Sequence, residues 1–164
     1  MRWMGLVLIL LCGVAAGMAA AAQFRRRVRL LEQTIYLLRW LALHIRTTAQ
    51  PLPKLLCQMR LQSDAPPFIP WVCERMQQGV SAAQAFEQAV RGQAGYTQQD
   101  REILLHGTDT LGRSDTAAQL ESLQVTCEQL QGQLEQAREA CITRGRTARM
   151  LGACSGAALF LLLI

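Results

Sequence analysis

Residues 120–141 read LESLQVTCEQLQGQLEQAREAC. Leu120, Leu123, Cys127, Leu130, Leu134, Ala137 and Cys141 recur at alternating steps of three and four, so the stretch is an amphipathic helix with one apolar seam. Ser114 or Asp115 can cap its start, and no proline interrupts the chain from there to Ile164. Asp115 to Ile164 therefore reads as one long helix. Gly132 lies off the seam and costs roughly 1 kcal/mol relative to alanine, tolerable at this length. The seam either packs internally against the first helix or pairs with a second copy as a coiled coil through Leu120–Cys141. Both readings stay open at this level.

The same helix leads into an apolar end. Met150–Ile164 carries no charge, and Arg144, Arg146 and Arg149 precede it. The other end mirrors it: Trp3–Ala22 is a 20-residue uncharged run followed by Arg25, Arg26, Arg27 and Arg29. About 20 apolar residues cross a bilayer core as a helix. Arg-rich flanks stay on the cytoplasmic side, and both clusters border the middle of the chain. The expected organisation is an N-terminal transmembrane helix at 3–22, a cytoplasmic helical domain at 23–149 and a C-terminal transmembrane helix at 150–164. A cleaved signal peptide is the rival reading of the first run. The four arginines just after any cut oppose it, and so does Leu11, too large to precede a lipoprotein cysteine at Cys12.

The segment between the runs holds 16 of the 17 basic residues and all 12 acidic ones, a net of +4. The excess sits in the juxtamembrane arginines, where anionic lipid headgroups would lie, so the partner it suggests is membrane lipid and not nucleic acid.

The middle reads as helices throughout. Val28, Leu31, Ile35, Leu38, Ala42 and Ile45 form one stripe, widened by Leu30, Leu37 and Leu41, so that helix faces more than one neighbour. Pro51 and Pro53 start a second helix to about Leu61, and Gln62–Pro70 is a proline-rich joint. A short helix using Trp71, Val72 and Met76 stops near Gly79. Ser81-x-x-Gln84 is a capping box ahead of Ala85, Phe86, Ala89 and Val90. Gly92 and Gly95 punctuate, and Thr97–Asp100 opens a helix running towards Leu111. The expected fold is all-α: an antiparallel bundle of about six helices between the two membrane helices.

No phosphate-binding glycine loop, nucleophile elbow or paired-carboxylate pocket is present, so no catalytic residue, cofactor or enzymatic activity is expected. His44 and His106 have no cysteine or carboxylate at metal-ligand spacing. The six cysteines contain no C-x-x-C pair, and cytoplasmic thiols are normally reduced. Gly13-x-x-x-Gly17 and Gly152-x-x-x-Gly156 place a small-residue notch in each apolar run, the spacing of close helix packing in lipid. They point to packing of the two runs on each other, on other membrane proteins or in a homo-oligomer.

Several ordered features together resemble one family. Ile45 is followed by Pro51-Leu52, then by Gly79-x-Ser81 and Ala85-Phe86. Leu111-Gly112-Arg113-Ser114-Asp115 comes next, with Gln119 four residues on, and Leu151-Gly152-x-x-x-Gly156 closes the chain. In this order and spacing they resemble stage III sporulation protein AB of endospore-forming bacteria. The chain departs from that pattern at Ala42 and His44, where the family often has acids, and at Phe86, where it tends to have tryptophan. The resemblance implies a bundle similar to the cytoplasmic domains of the platform protein of type II secretion and type IV pilus machines. It also implies a place, on the mother-cell side, in the complex between mother cell and forespore, with a secretion-type ATPase and other membrane subunits as partners. The geometry of a bundle held at both ends makes a membrane-distal turn the expected docking surface, either Gln62–Pro70 or Gly107–Asp115, with Gly112, Ser114 and Asp115 as the candidate docking residues of the second.

Overall fold

A computed structural model of the chain describes residues 2–48, 51–109 and 116–163; side-chain surroundings are defined for 21–47, 51–109, 116–143 and a few positions in the terminal runs. Among the described residues there are six helices and no strand: α1 (Arg2–Thr48), α2 (Leu52–Met59), α3 (Ile69–Gln77), α4 (Ala82–Gly92), α5 (Gln98–Thr108) and α6 (Thr116–Leu163). The apolar ends are therefore not separate elements. The first continues into the striped helix as α1, and the last continues the heptad helix as α6. Among the described residues no helix is long and apolar enough to cross a membrane. The side chains of 3–22 and 150–164 lie almost wholly outside the described set, and so do those of Gly13, Gly17, Gly152 and Gly156.

The chain divides into two compact units, one of Met1–Val28 with Glu135–Ile164 and one of Arg29–Leu134. In the first, Ala21 of α1 and Ala137 of α6 are both buried. The second holds most of the core. On α1, Leu30, Leu31, Ile35, Leu37, Leu38 and Leu41 are buried, so the widened stripe is used in full. Burying a leucine or isoleucine side chain is worth about 1.5–3 kcal/mol, so this one face is a large part of the unit's stability. On α6, Leu123, Cys127, Leu130 and Leu134 are buried within the single chain, while the seam ends Leu120 and Cys141 are half-buried.

Between these long helices, α2 packs on α3, α3 on α4 and α4 on α5. Pro51 and Pro53 start α2, which buries Leu55, Leu56 and Met59. The expected face of α3 needs correction: Ile69, Val72 and Cys73 are buried, Met76 is half-buried and Trp71 is exposed. The helix begins inside the proline joint, at Ile69, so its i, i+3, i+4 face is counted from that residue. It ends in a Schellman motif. Val80 N–H donates to Arg75 O at 3.2 Å and Gly79 N–H to Met76 O at 3.1 Å, with Gly79 at φ +90°. Ser81 caps α4 by accepting from Gln84 N–H at 3.3 Å, and Ala85, Phe86, Ala89 and Val90 form its buried face. Phe86 meets Phe68 edge to face, with ring centroids 5.5 Å apart.

At α5 the reciprocal capping box is complete. Thr97 N–H donates to Asp100 Oδ2 at 2.8 Å and Asp100 N–H donates to Thr97 Oγ1 at 3.2 Å. The α4–α5 turn is fastened to α1. Gly95, at φ +115°, lies against Leu30, and the buried Tyr96 hydroxyl bonds Thr34 Oγ1. Thr34 gives its own proton to Leu30 O at 2.7 Å, so Tyr96 is the donor to Thr34. Helix α5 ends at Thr108, short of Leu111, and meets α6 through Gly107. Ser122 Oγ donates to Gly107 O at 2.9 Å, and Thr126 occupies the space a side chain at 107 would need.

Candidate functional site

Gly112, Ser114 and Asp115, the centre of one expected docking turn, lie outside the described residues. Gly107, at the start of that expected segment, is instead buried in the α5–α6 contact. Among the expected topology-setting residues, Arg25, Arg26 and Arg29 are exposed and Arg27 is half-buried. The side chains of Arg144, Arg146 and Arg149 are not among the described ones.

The other expected turn, Gln62–Pro70, is fully described. Met59 O and Gln58 O accept from Gln62 and Leu61 N–H at 3.0 and 3.1 Å, turning the chain directly after α2. The joint anchors itself inward through Pro66, Phe68 and Ile69, all buried. It therefore has a fixed base although its outer residues face solvent. Leu61, close to Trp71 in sequence, is 87% exposed. Trp71, 39% exposed, shares a shallow concavity of about 440 Å³ with Arg60, Pro67, Pro70, Glu74 and Gln77.

The tryptophan is held from behind. The Arg75 guanidinium sits 5.3 Å from its ring centroid, donating to Gln78 Oε1 at 3.1 Å and across to Gln88 Oε1 on α4 at 3.4 Å. This sequence of contacts ties the aromatic ring to two helices before any partner arrives. Tryptophan and arginine are the side chains that most often dominate protein interfaces, because a pre-held ring adds contact area at little further entropic cost. Sequence reasoning located this joint but placed Trp71 in the core and did not single out Leu61 or Arg75. The legible signal was three prolines within five residues flanked by large apolar side chains.

A second concavity, of about 520 Å³, lies between α1 and α6. Arg39, Leu43 and Arg46 face Leu120, Gln124 and Glu128 across it, and Leu43 is 58% exposed. Among the described residues no set of three or more His, Cys, Asp or Glu side chains could hold a metal ion.

Comparison with known proteins gives the architecture a family. No curated protein matches the sequence. A solved structure titled stage III sporulation protein AB (SpoIIIAB) is similar to this chain with a TM-score of 0.62 and 21% identity. The match covers 71% of this chain and 97% of that one, and at this identity it speaks for the fold. The family model described as stage III sporulation protein AB matches residues 2–164, essentially the full length, including the stretches carrying Gly79-x-Ser81 and Leu111–Asp115. With the helical fold of the described residues and that match together, the chain belongs to the stage III sporulation protein AB family.

Proposed function

We propose that this protein is a non-enzymatic membrane platform of the sporulation complex between mother cell and forespore, docking a secretion-type ATPase and other membrane subunits. Family membership supports the sporulation role. The observation that carries the docking reading is the α2–α3 joint. There a solvent-facing leucine and a tryptophan braced by Arg75 stand on a base that is buried and hydrogen-bonded. A surface that transmits or receives force must not deform when it is loaded, and its apolar residues must be accessible.

In this reading the two apolar runs cross the mother-cell membrane, and residues 23–149 lie in the mother-cell cytoplasm. The arginines beside each run would hold that orientation. The platform proteins of type II secretion and type IV pilus machines offer the nearest functional analogy.

The test is co-purification from sporulating cells. L61D and W71A together should leave the protein in the membrane fraction at normal abundance. They should abolish recovery of the ATPase and lower spore yield. Wild-type recovery of the ATPase with the doubly substituted protein would refute docking through this joint. Recovery of the wild-type protein in the soluble fraction would refute the membrane platform itself.

A further inference from the structure

The concavity between α1 and α6 has walls of opposite charge. On α1, Arg39, Leu43 and Arg46 line it at steps of four and three, and all three are exposed. On α6, Glu128 lines it, and Glu121 and Val125 fall on the same side of that helix, seven and three residues earlier. These three are exposed as well, Val125 by 47%. Each helix therefore shows solvent the same order of groups: charge, aliphatic, charge. The sign is positive on α1 and negative on α6.

The two walls do not neutralise each other within one chain. Among the described residues neither Arg39 nor Arg46 forms an ion pair, and Glu128 accepts from its own neighbour Gln124 Nε2 at 3.2 Å. A space of about 520 Å³ lies between them. We propose that this face is a homodimer interface, in which two copies close groove on groove about a two-fold axis, α1 of each lying against α6 of the other. Arg39 and Arg46 of one copy then meet Glu121 and Glu128 of the second, and Leu43 meets Val125.

Charge complementarity selects the occupant. An acidic ligand would suit the α1 wall and be repelled by the α6 wall, and a basic ligand the reverse. A second copy brings both signs, and a two-fold contact uses each wall twice. The order charge, aliphatic, charge reads the same from either end, so the match holds whether the facing helices run parallel or antiparallel. The heptad seam takes no part, because Leu123, Cys127, Leu130 and Leu134 stay buried within each chain. The inference stands apart from docking at the α2–α3 joint, which uses other residues.

Sedimentation velocity of the purified full-length protein in detergent tests it. The wild type should dimerise, less tightly as salt is raised. R39E/R46E and E121R/E128R should each weaken self-association roughly tenfold or more, because like charges then face each other across the contact. All four side chains are exposed, so both variants should keep wild-type helicity by circular dichroism. Mixed in equal amounts, the two variants should associate with each other, since every reversed wall then faces its opposite. A wild type that stays monomeric would overturn the proposal and assign the face to a different protein. A dimer that survives both reversals would also overturn it, placing association elsewhere, as on the glycine notches. So would two monomeric variants that fail to associate when mixed.

Discussion

Gly107→Ala is the substitution for which the structure and helix propensity predict opposite signs. Propensity alone favours alanine in a helix by about 1 kcal/mol. A Cβ built at 107, however, would lie 2.8 Å from both Cβ and Cγ2 of Thr126, and closer still to its hydroxyl. Rotating Thr126 cannot relieve the overlap, because its own Cβ is one of the clashing atoms. Restoring ordinary contact would require α5 and α6 to separate by roughly 0.6 Å or more. The Gly107 carbonyl, bonded to Ser122 Oγ at 2.9 Å, resists that movement. Overpacking of this kind costs about 1–3 kcal/mol, occasionally more. With the upper half of that range appropriate and propensity offsetting part of it, the net loss should be about 1–2 kcal/mol. For a chain of this size that lowers Tm by roughly 2–8 °C. Circular dichroism of the full-length protein in detergent provides the assay, with Gly132→Ala alongside. Nothing lies within 4 Å of a Cβ at Gly132, so that variant should gain up to about 1 kcal/mol. Thr126→Ala in the Gly107→Ala background should recover part of the loss, since it deletes the hydroxyl and methyl but keeps Cβ. Equal or raised stability in Gly107→Ala, or additivity of the two substitutions, would show that the α5–α6 approach is not as close as described.

Other expectations follow from single contacts. Burial pushes the Tyr96 phenol up from its usual value near 10, the Asp100 carboxylate adds to this, and the bond to Thr34 opposes it. Its stabilising effect is therefore fully present below pH 10 and lost as pH rises above that unfolded value. The slope for this group can approach about 1.4 kcal/mol per pH unit, and Tyr96→Phe should remove its share in denaturation measured across that range. Thr97→Ala breaks the capping box of α5 and should cost about 0.5–2 kcal/mol, measured as a lower urea midpoint at unchanged slope. Leu130→Ala, in the middle of the buried seam, should cost about 2–5 kcal/mol by the same measurement. The same change at the exposed Val125 should fall within about 0.5 kcal/mol.

Much of this fold was legible because its helices are long or sharply punctuated. The seam from Leu123 to Ala137 and the widened stripe on α1 are regular enough for period alone to identify buried positions. Pro53, Ser81 and Thr97 each mark a helix start by local chemistry that operates before any tertiary contact forms. The short α3 resisted because a nine-residue helix contains too few turns for its face to average out. Shifting its start to Ile69 rotates Trp71 from core to surface. Tyr96 and Gly107 were illegible for a different reason. A lone tyrosine in a turn and a lone glycine near a helix end acquire meaning only from Thr34 and Thr126, which lie 62 and 19 positions away in sequence. The α2–α3 joint fell between these cases: its prolines announced a turn, but the outward placement of Leu61 and Trp71 depends on how the joint is seated.

The latched turn around Tyr96 also bears on how this molecule should be labelled. Inter-helix loops usually accept epitope tags and protease sites, because their ends are free to spread. Residues 93–97 are stitched to α1 by a buried phenol and a left-handed glycine. A cleavage site inserted there would resist digestion on either side of a membrane, or would unseat α5 if it were cut. Exposed Ser63 and Asp64, which lie beside Arg29 and Tyr36 without such stitching, are the better place to ask which compartment the chain faces.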